Sequence, residues 1–261
     1  MSSRTRSAPL FYQTEWSPSK ISSETEKLTL SGDEAKHAMN ARRLREGDAV
    51  EISNGRGVHG VGVVEATVSR PPQLTLTIKQ ITLTPQSGVE LVLASALPKG
   101  ERQGTLLDMA TQLGMQRFIP LECDLSSVRF QSKMTSRWQR IMLSGCKQSR
   151  RIHLPRIDQH TDIKQLLTLT DDSSLVLFGE QNGKTLLDTA DTAMQKIQRI
   201  VIVIGPEAGF SDAEMKLLRE HPSAFAITAG PNILRTETAA IALLSLANQI
   251  TKNINTRVAD N

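Results

Sequence analysis

Ile200-Val201-Ile202-Val203-Ile204-Gly205-Pro206-Glu207-Ala208-Gly209-Phe210 is the stretch that decides the fold. Its first half is the most apolar strand in the chain, of the kind found where both faces of a parallel sheet are covered. Glycine and proline then stop the strand. Ser211 and Glu214 form an S-x-x-E capping box, so a helix begins at once and runs to Glu220. Strand, loop and helix in that order are the unit of an α/β domain.

The same alternation extends in both directions. Downstream, Ala224 to Thr228 reads as a strand and Glu237 to Thr251 as a long helix. Upstream, the expected strands are Val89 to Ala96, Phe118 to Glu122 and Leu175 to Gly179. Helices are expected over Glu101 to Leu113, Thr135 to Lys147 and Lys184 to about Ala193, with Gly114 where a left-handed cap is wanted. Such alternation means a mostly parallel sheet with helices on both faces.

Before residue 85 the character changes. Short strand-like runs at Lys27 to Leu30, Ala49 to Ser53, Val58 to Val68 and Leu74 to Ile81 are broken by Gly, Asn-Gly and Pro-Pro. One short helix, about Asp33 to Arg43, interrupts them. Many short strands with tight turns suggest a small β-barrel. The chain therefore divides into a domain over 1–84 and an α/β domain over 85–261.

Composition narrows the function. With 261 residues and 39% hydrophobic content, the chain can bury a substantial core. Aromatics make up only 3%, which argues against a single-strand binder that stacks bases on many rings. The net charge of +4 is compatible with nucleic acid. Basic clusters at Arg42, Arg43 and Arg45, and again at Arg137, Arg140, Lys147, Arg150, Arg151 and Arg156, suit phosphate contacts, although ordinary solvated faces look the same. Cys123 and Cys146 show no C-x-x-C spacing, so no metal site is indicated, and a reducing cytoplasm is the natural location. Met1 to Ser7 lacks the apolar core of a secretory signal, and no apolar run is long enough to span a bilayer.

Open α/β sheets bind ligands at the carboxyl ends of their strands. Two strand ends carry special loops, Gly205 to Phe210 and Ala229 to Thr238. Glycines let backbone approach a ligand, prolines stiffen the turn, and the helices that follow offer free N–H groups. Gly57-Val58-His59-Gly60-Val61-Gly62 lacks a following helix and reads as a turn and strand. There is no P-loop, no G-x-S-x-G elbow and no zinc-deaminase signature.

At these loops the chain resembles the bacterial 16S rRNA uracil-N3 methyltransferase family, of the SPOUT class. The family's I-G-P-E-G-G-F appears as Ile204 to Phe210, and its L-G-x-R-I-L-R-T-E-T-A as Ala229 to Ala239. Further matches are Lys99, Arg102, Thr111 and Leu113-Gly114; Arg137-Trp138, Gln148-Ser149, Arg151 and Pro155; and His37 with Arg43-Leu44-Arg45-Glu46-Gly47-Asp48. Ala208, Asn232, Gln112 and Lys147 depart from the pattern, as do Ala41 and Arg42.

The resemblance implies a trefoil-knotted SPOUT α/β domain preceded by a PUA-like β-barrel that grips RNA. It implies a homodimer, with no metal and no membrane. It also implies an S-adenosylmethionine-dependent methyltransferase acting on N3 of a uridine in 16S rRNA of the small ribosomal subunit. Cofactor contacts are then expected around Phe178, Gly179, Ile204, Gly205, Pro206, Gly209, Gly230, Ile233, Leu234 and Thr238, with Phe178 and Leu234 sandwiching the adenine. Arg235 would stabilise the uracil anion or hold substrate phosphate. Glu207 would orient the loop or accept the proton. Arg42, Arg43, Arg45, Arg137, Arg150 and Arg151 would meet RNA. Three alternatives remain open from the residues alone: a ribosome-assembly protein that binds RNA without turnover, a small-molecule α/β enzyme, and methylation at another RNA site.

Overall fold

The computed structural model describes residues 8–18, 21, 25–185 and 197–259. The helix expected over Lys184 to about Ala193 lies almost wholly outside these residues, as do Met1 to Ser7. The chain forms two compact units, Met1–Gln86 with Ser149–Leu154, and Ser87–Gln148 with Pro155–Asn261.

In the first unit, β1 (Leu10–Tyr12), β2 (Glu26–Ser31), β3 (Ala49–Ser53), β4 (Val58–Ser69) and β5 (Pro72–Leu83) form one sheet in the order β1-β3-β4-β5-β2. Its core gathers Phe11, Trp16, Leu30, Val50, Ile52, Leu74, Leu76 and Ile78. The barrel expected from the turn spacing is met here as a sheet. The short β1 and β2 stand at its two edges, and among the described residues no ladder joins them.

Between β2 and β3 lie α1 (Gly32–Lys36) and one π-helical turn, His37–Ala41. This turn ends on Arg43, whose φ of 56° is one of two positive values among the described non-glycine residues. Leu44 N–H then donates to the Ala38 carbonyl at 3.1 Å, and Leu44 packs against the core. Arg43 thus fills the left-handed position that closes a helix, where glycine is the usual residue.

Residues 149–154, read from sequence as part of the α/β domain, belong to this first unit. Leu154 N–H donates to the Gly55 carbonyl at 2.9 Å, and Ser53 Oγ donates to the Ile152 carbonyl at 2.9 Å. The Tyr12 hydroxyl donates to the Arg151 carbonyl. Arg150 holds the second positive φ, 59°, and its guanidinium meets Glu51 at 2.5 Å.

The second unit is a six-stranded sheet in which every pairing is parallel. It is built from β6 (Glu90–Ser95), β7 (Arg117–Pro120), β8 (Arg156–Ile157), β9 (Ser174–Lys184), β10 (Arg199–Ile204) and β11 (Ala224–Ile227), in the order β11-β9-β10-β6-β7-β8. Period-two alternation assigns side chains to the faces. Leu91, Leu93, Ile200, Ile202 and Ile204 point to one side, where they pack with α2 (Arg102–Gln112), α3 (Thr135–Ser149) and α6 (Thr236–Ala259). Val92, Ala94, Val176, Phe178, Val201 and Val203 point to the other, against α4 (Ile163–Thr168) and α5 (Asp212–Glu220). The capping box on α5 forms as expected, with both the Ser211 and the Glu214 bonds present.

Two features of this sheet build the site. From β10 the chain runs through α5 to β11, beyond β9, and α6 then returns to pack on β10, β6 and α2. In addition, the β9–β11 register jumps. Ala226 pairs with Phe178, whereas Ile227 pairs with Lys184, so residues 179–183 leave the ladder and return to it.

Candidate active site

A cavity of about 440 Å³ lies at the carboxyl ends of β9, β10 and β11. Its walls are Gly179, Glu180 and Gln181 from the β9 excursion, Ile204 to Phe210 after β10, and Ile227 to Gly230 with Asn232 to Leu234 after β11. Thr236, Ala239 and Leu243 of α6 close it. These three share a helix face because they are spaced by three and four residues. The volume suits a small organic ligand.

The two glycine-bearing loops singled out from sequence therefore face the same space. Thr236 Oγ1 lies 3.4 Å from the Gly205 carbonyl and links them. Within the first loop, Gly209 N–H donates to the Pro206 carbonyl at 2.9 Å, and Gly209 takes φ of 80°. Ala208 is not among the residues with positive φ, so the glycine-to-alanine departure falls where alanine fits. A Cβ on Gly205 would come within 3.1 Å of the Phe210 ring. In the second loop, Thr228 Oγ1 donates to the Gly230 carbonyl at 2.8 Å and folds the turn back on itself.

Of the residues expected at a cofactor, Gly179, Ile204, Gly205, Pro206, Gly209, Gly230, Ile233 and Leu234 line the cavity. Phe178 does not. It shares strand parity with Val176, so its ring is buried in the core on the other face of the sheet, and it cannot sandwich an adenine. The aromatic ring that does line the cavity is Phe210. Thr238 is exposed and outside the lining, because it lies about 200° around the helix from Thr236.

Glu207 lines the cavity, whereas Arg235 is exposed just outside it, between Leu234 and Thr236. The ion pair that a simple loop-fixing role for Arg235 would need is made by another residue. Arg102, near the start of α2, lies 3.4 Å from Glu207 and 3.9 Å from Glu237. Arg235 has no ion-pair partner among the described residues. Glu180 and Gln181 are wall residues outside both loops singled out from sequence. They come from the β9 excursion, which has no sequence signature.

Cys123 and Cys146 are free and buried. Burial, reinforced by the neighbouring Glu214 carboxylate, pushes the Cys123 thiol far up, so it is a poor nucleophile. Among the described residues no group of His, Cys, Asp and Glu is arranged to hold a metal, and no helix is long and apolar enough to cross a membrane.

Among the arginines expected at RNA, Arg42, Arg43 and Arg45 are exposed on the first unit and make no ion pair among the described residues. Arg150 and Arg151 also belong to that unit, and Arg150 is engaged by Glu51. Arg137 is exposed on α3.

Comparison with known proteins agrees with this geometry. Ribosomal RNA small subunit methyltransferase E of Bacillus subtilis is 29% identical over 231 residues, covering 85% of this chain and 90% of the relative. A Legionella pneumophila methyltransferase, solved with its cofactor SAM bound, matches with a TM-score of 0.79 and 26% identity over 93% of this chain and 97% of that one. The small subunit methyltransferase E of Neisseria gonorrhoeae, solved with S-adenosyl methionine, shares the fold at a TM-score of 0.80 and 23% identity, over 93% and 98% of the two chains. Residues 30–70 match the RNA methyltransferase PUA domain. Residues 85–248, which take in every wall of the cavity, match the RNA methyltransferase domain, and the chain belongs to that family.

Proposed function

We propose that this protein is an S-adenosylmethionine-dependent methyltransferase that modifies N3 of a uridine in 16S rRNA of the small ribosomal subunit, in the cytoplasm. The observation that carries the reading is the shared cavity formed by the β9 excursion and the loops after β10 and β11. Gly205, bare of a side chain, lets the Phe210 ring lie close beside it, Phe210, Leu234 and Leu243 offer apolar surface, and loop backbone supplies polar groups. These features fit a compactly bent nucleoside cofactor. When bound, that cofactor supplies an already activated methyl group on a sulfonium.

The protein's own task is alignment and proton management. Neutral N3–H has no free lone pair, so its proton must leave as the methyl group arrives. The Arg235 guanidinium, beside the cavity and without an acidic partner among the described residues, is the cation proposed to favour the uracil anion. Glu207 is the carboxylate proposed to take the proton or to hold its loop. We further propose that the return of α6 across β10 and β6 closes a trefoil knot, that the first unit is PUA-like, and that the active form is a homodimer.

The test is to incubate the protein with S-adenosylmethionine and small ribosomal subunits lacking the modification, then map methyl groups by mass spectrometry. A methyl group on N3 of one 16S uridine is expected. No incorporation into any RNA would end the assignment.

Arg43 provides a second check, on the RNA side. Left-handed backbone costs a non-glycine residue on the order of 1 kcal/mol, and glycine recovers part of it. Arg43→Gly is therefore expected to stabilise the fold by roughly 0.5 kcal/mol. It should also weaken RNA binding and reduce its dependence on salt. RNA affinity equal to wild type would take this turn out of the RNA surface.

A further inference from the structure

The cavity has an uneven charge. Among the described residues its lining contains two ionisable groups, Glu180 and Glu207, and both are carboxylates. Their cations stand outside the lining. Arg102 reaches Glu207 at 3.4 Å, and Arg219 of α5 pairs with Glu180. Both carboxylates thus belong to lining residues while neither of their cations does, and Arg235 does not line the space either.

The balance near Glu207 is more negative still. Arg102 is shared with Glu237, whose Oε2 is enclosed and has no hydrogen-bond partner. One guanidinium thus faces two carboxylates. Fixed charges of this kind set the potential inside a cleft, where low-dielectric walls weaken screening.

We propose that this acidic lining reads the charge on the reacting centre of the cofactor, holding the sulfonium form more firmly than its neutral thioether by-product. The inference rests on the methyl-donor reading above. S-adenosylmethionine carries one more positive charge than S-adenosylhomocysteine, and the two differ otherwise by a single methyl group. A cavity whose lining residues include two carboxylates and no cation gains attraction for the first that it lacks for the second. Loss of the methyl group then loosens the spent cofactor without any movement of the walls.

The experiment is calorimetric binding, without RNA, of three ligands: S-adenosylmethionine, S-adenosylhomocysteine, and sinefungin, in which a protonated amine on carbon replaces the methyl sulfonium. In Glu207→Gln, affinity for the two cationic ligands is expected to fall roughly five- to tenfold relative to the neutral one. Glu180→Gln should move the same ratio in the same direction, and it serves as the test if Glu207→Gln does not fold. Equal changes for all three ligands, as a displaced loop would cause, or an unchanged ratio in both variants, would overturn the proposal while leaving the cofactor assignment standing. Failure of the wild-type protein to bind any of the three would remove both.

Discussion

Arg235→Ala is expected to lower methyl transfer by about 10²–10³-fold, the usual effect of deleting one group that stabilises developing charge, with affinity for S-adenosylmethionine close to wild type. The split between the two readouts follows from position. Arg235 is flanked in sequence by two cavity-lining residues, Leu234 and Thr236, yet its own side chain is outside the lining and exposed. Its carbonyl accepts from Ala239 N–H at 2.8 Å, so the backbone that starts α6 does not depend on the guanidinium. The nearby carboxylates Glu207 and Glu237 are held by Arg102 instead. Single-turnover methylation and cofactor calorimetry on the same preparation check the prediction. Normal turnover would show that the uracil anion is stabilised by some other group.

Gly183→Ala should damage both stability and cofactor binding. A Cβ at this position would lie 2.7 Å from the backbone of Ala226 and Ile227, closer than real contacts allow. Backbone cannot swing aside as a flexible side chain can, so β11 or the β9 excursion must shift. Overpacking of this kind costs about 1–3 kcal/mol. The shift falls where Thr228 N–H donates to the Lys184 carbonyl at 3.0 Å, the last tie before the second cavity loop. Thermal unfolding should report a lower midpoint, and S-adenosylmethionine should bind at least several-fold more weakly. A variant with both properties intact would mean that the excursion does not set the shape of the cavity.

Much of this arrangement was legible in the residues. The apolar run at Ile200 to Ile204, the two glycine-bearing loops and the capping box at Ser211 have strong local causes, and the structure contains all of them. Phe178 shows where sequence reasoning weakens. A strand buried on both faces carries no polar residue to mark its parity, so its alternation alone did not show which side chain faces the ligand. Glu180 and Gln181 escaped notice for a different reason. They line the cavity because the ladder between β9 and β11 slips, and such a slip depends on two strands distant in sequence. The attachment of residues 149–154 to the first unit was equally hidden, because it rests on main-chain hydrogen bonds and on a left-handed Arg150. Arg102 could be read as a family residue, but its sharing between two carboxylates emerges only in three dimensions.

Every wall of the cavity comes from residues between 179 and 243, the final third of the chain. A ribosome making this protein from its N-terminus therefore finishes the first unit and half of the sheet before any binding surface exists. An incomplete nascent chain has no means of capturing the methyl donor, and a premature stop ahead of Leu243 leaves the pocket without its last wall.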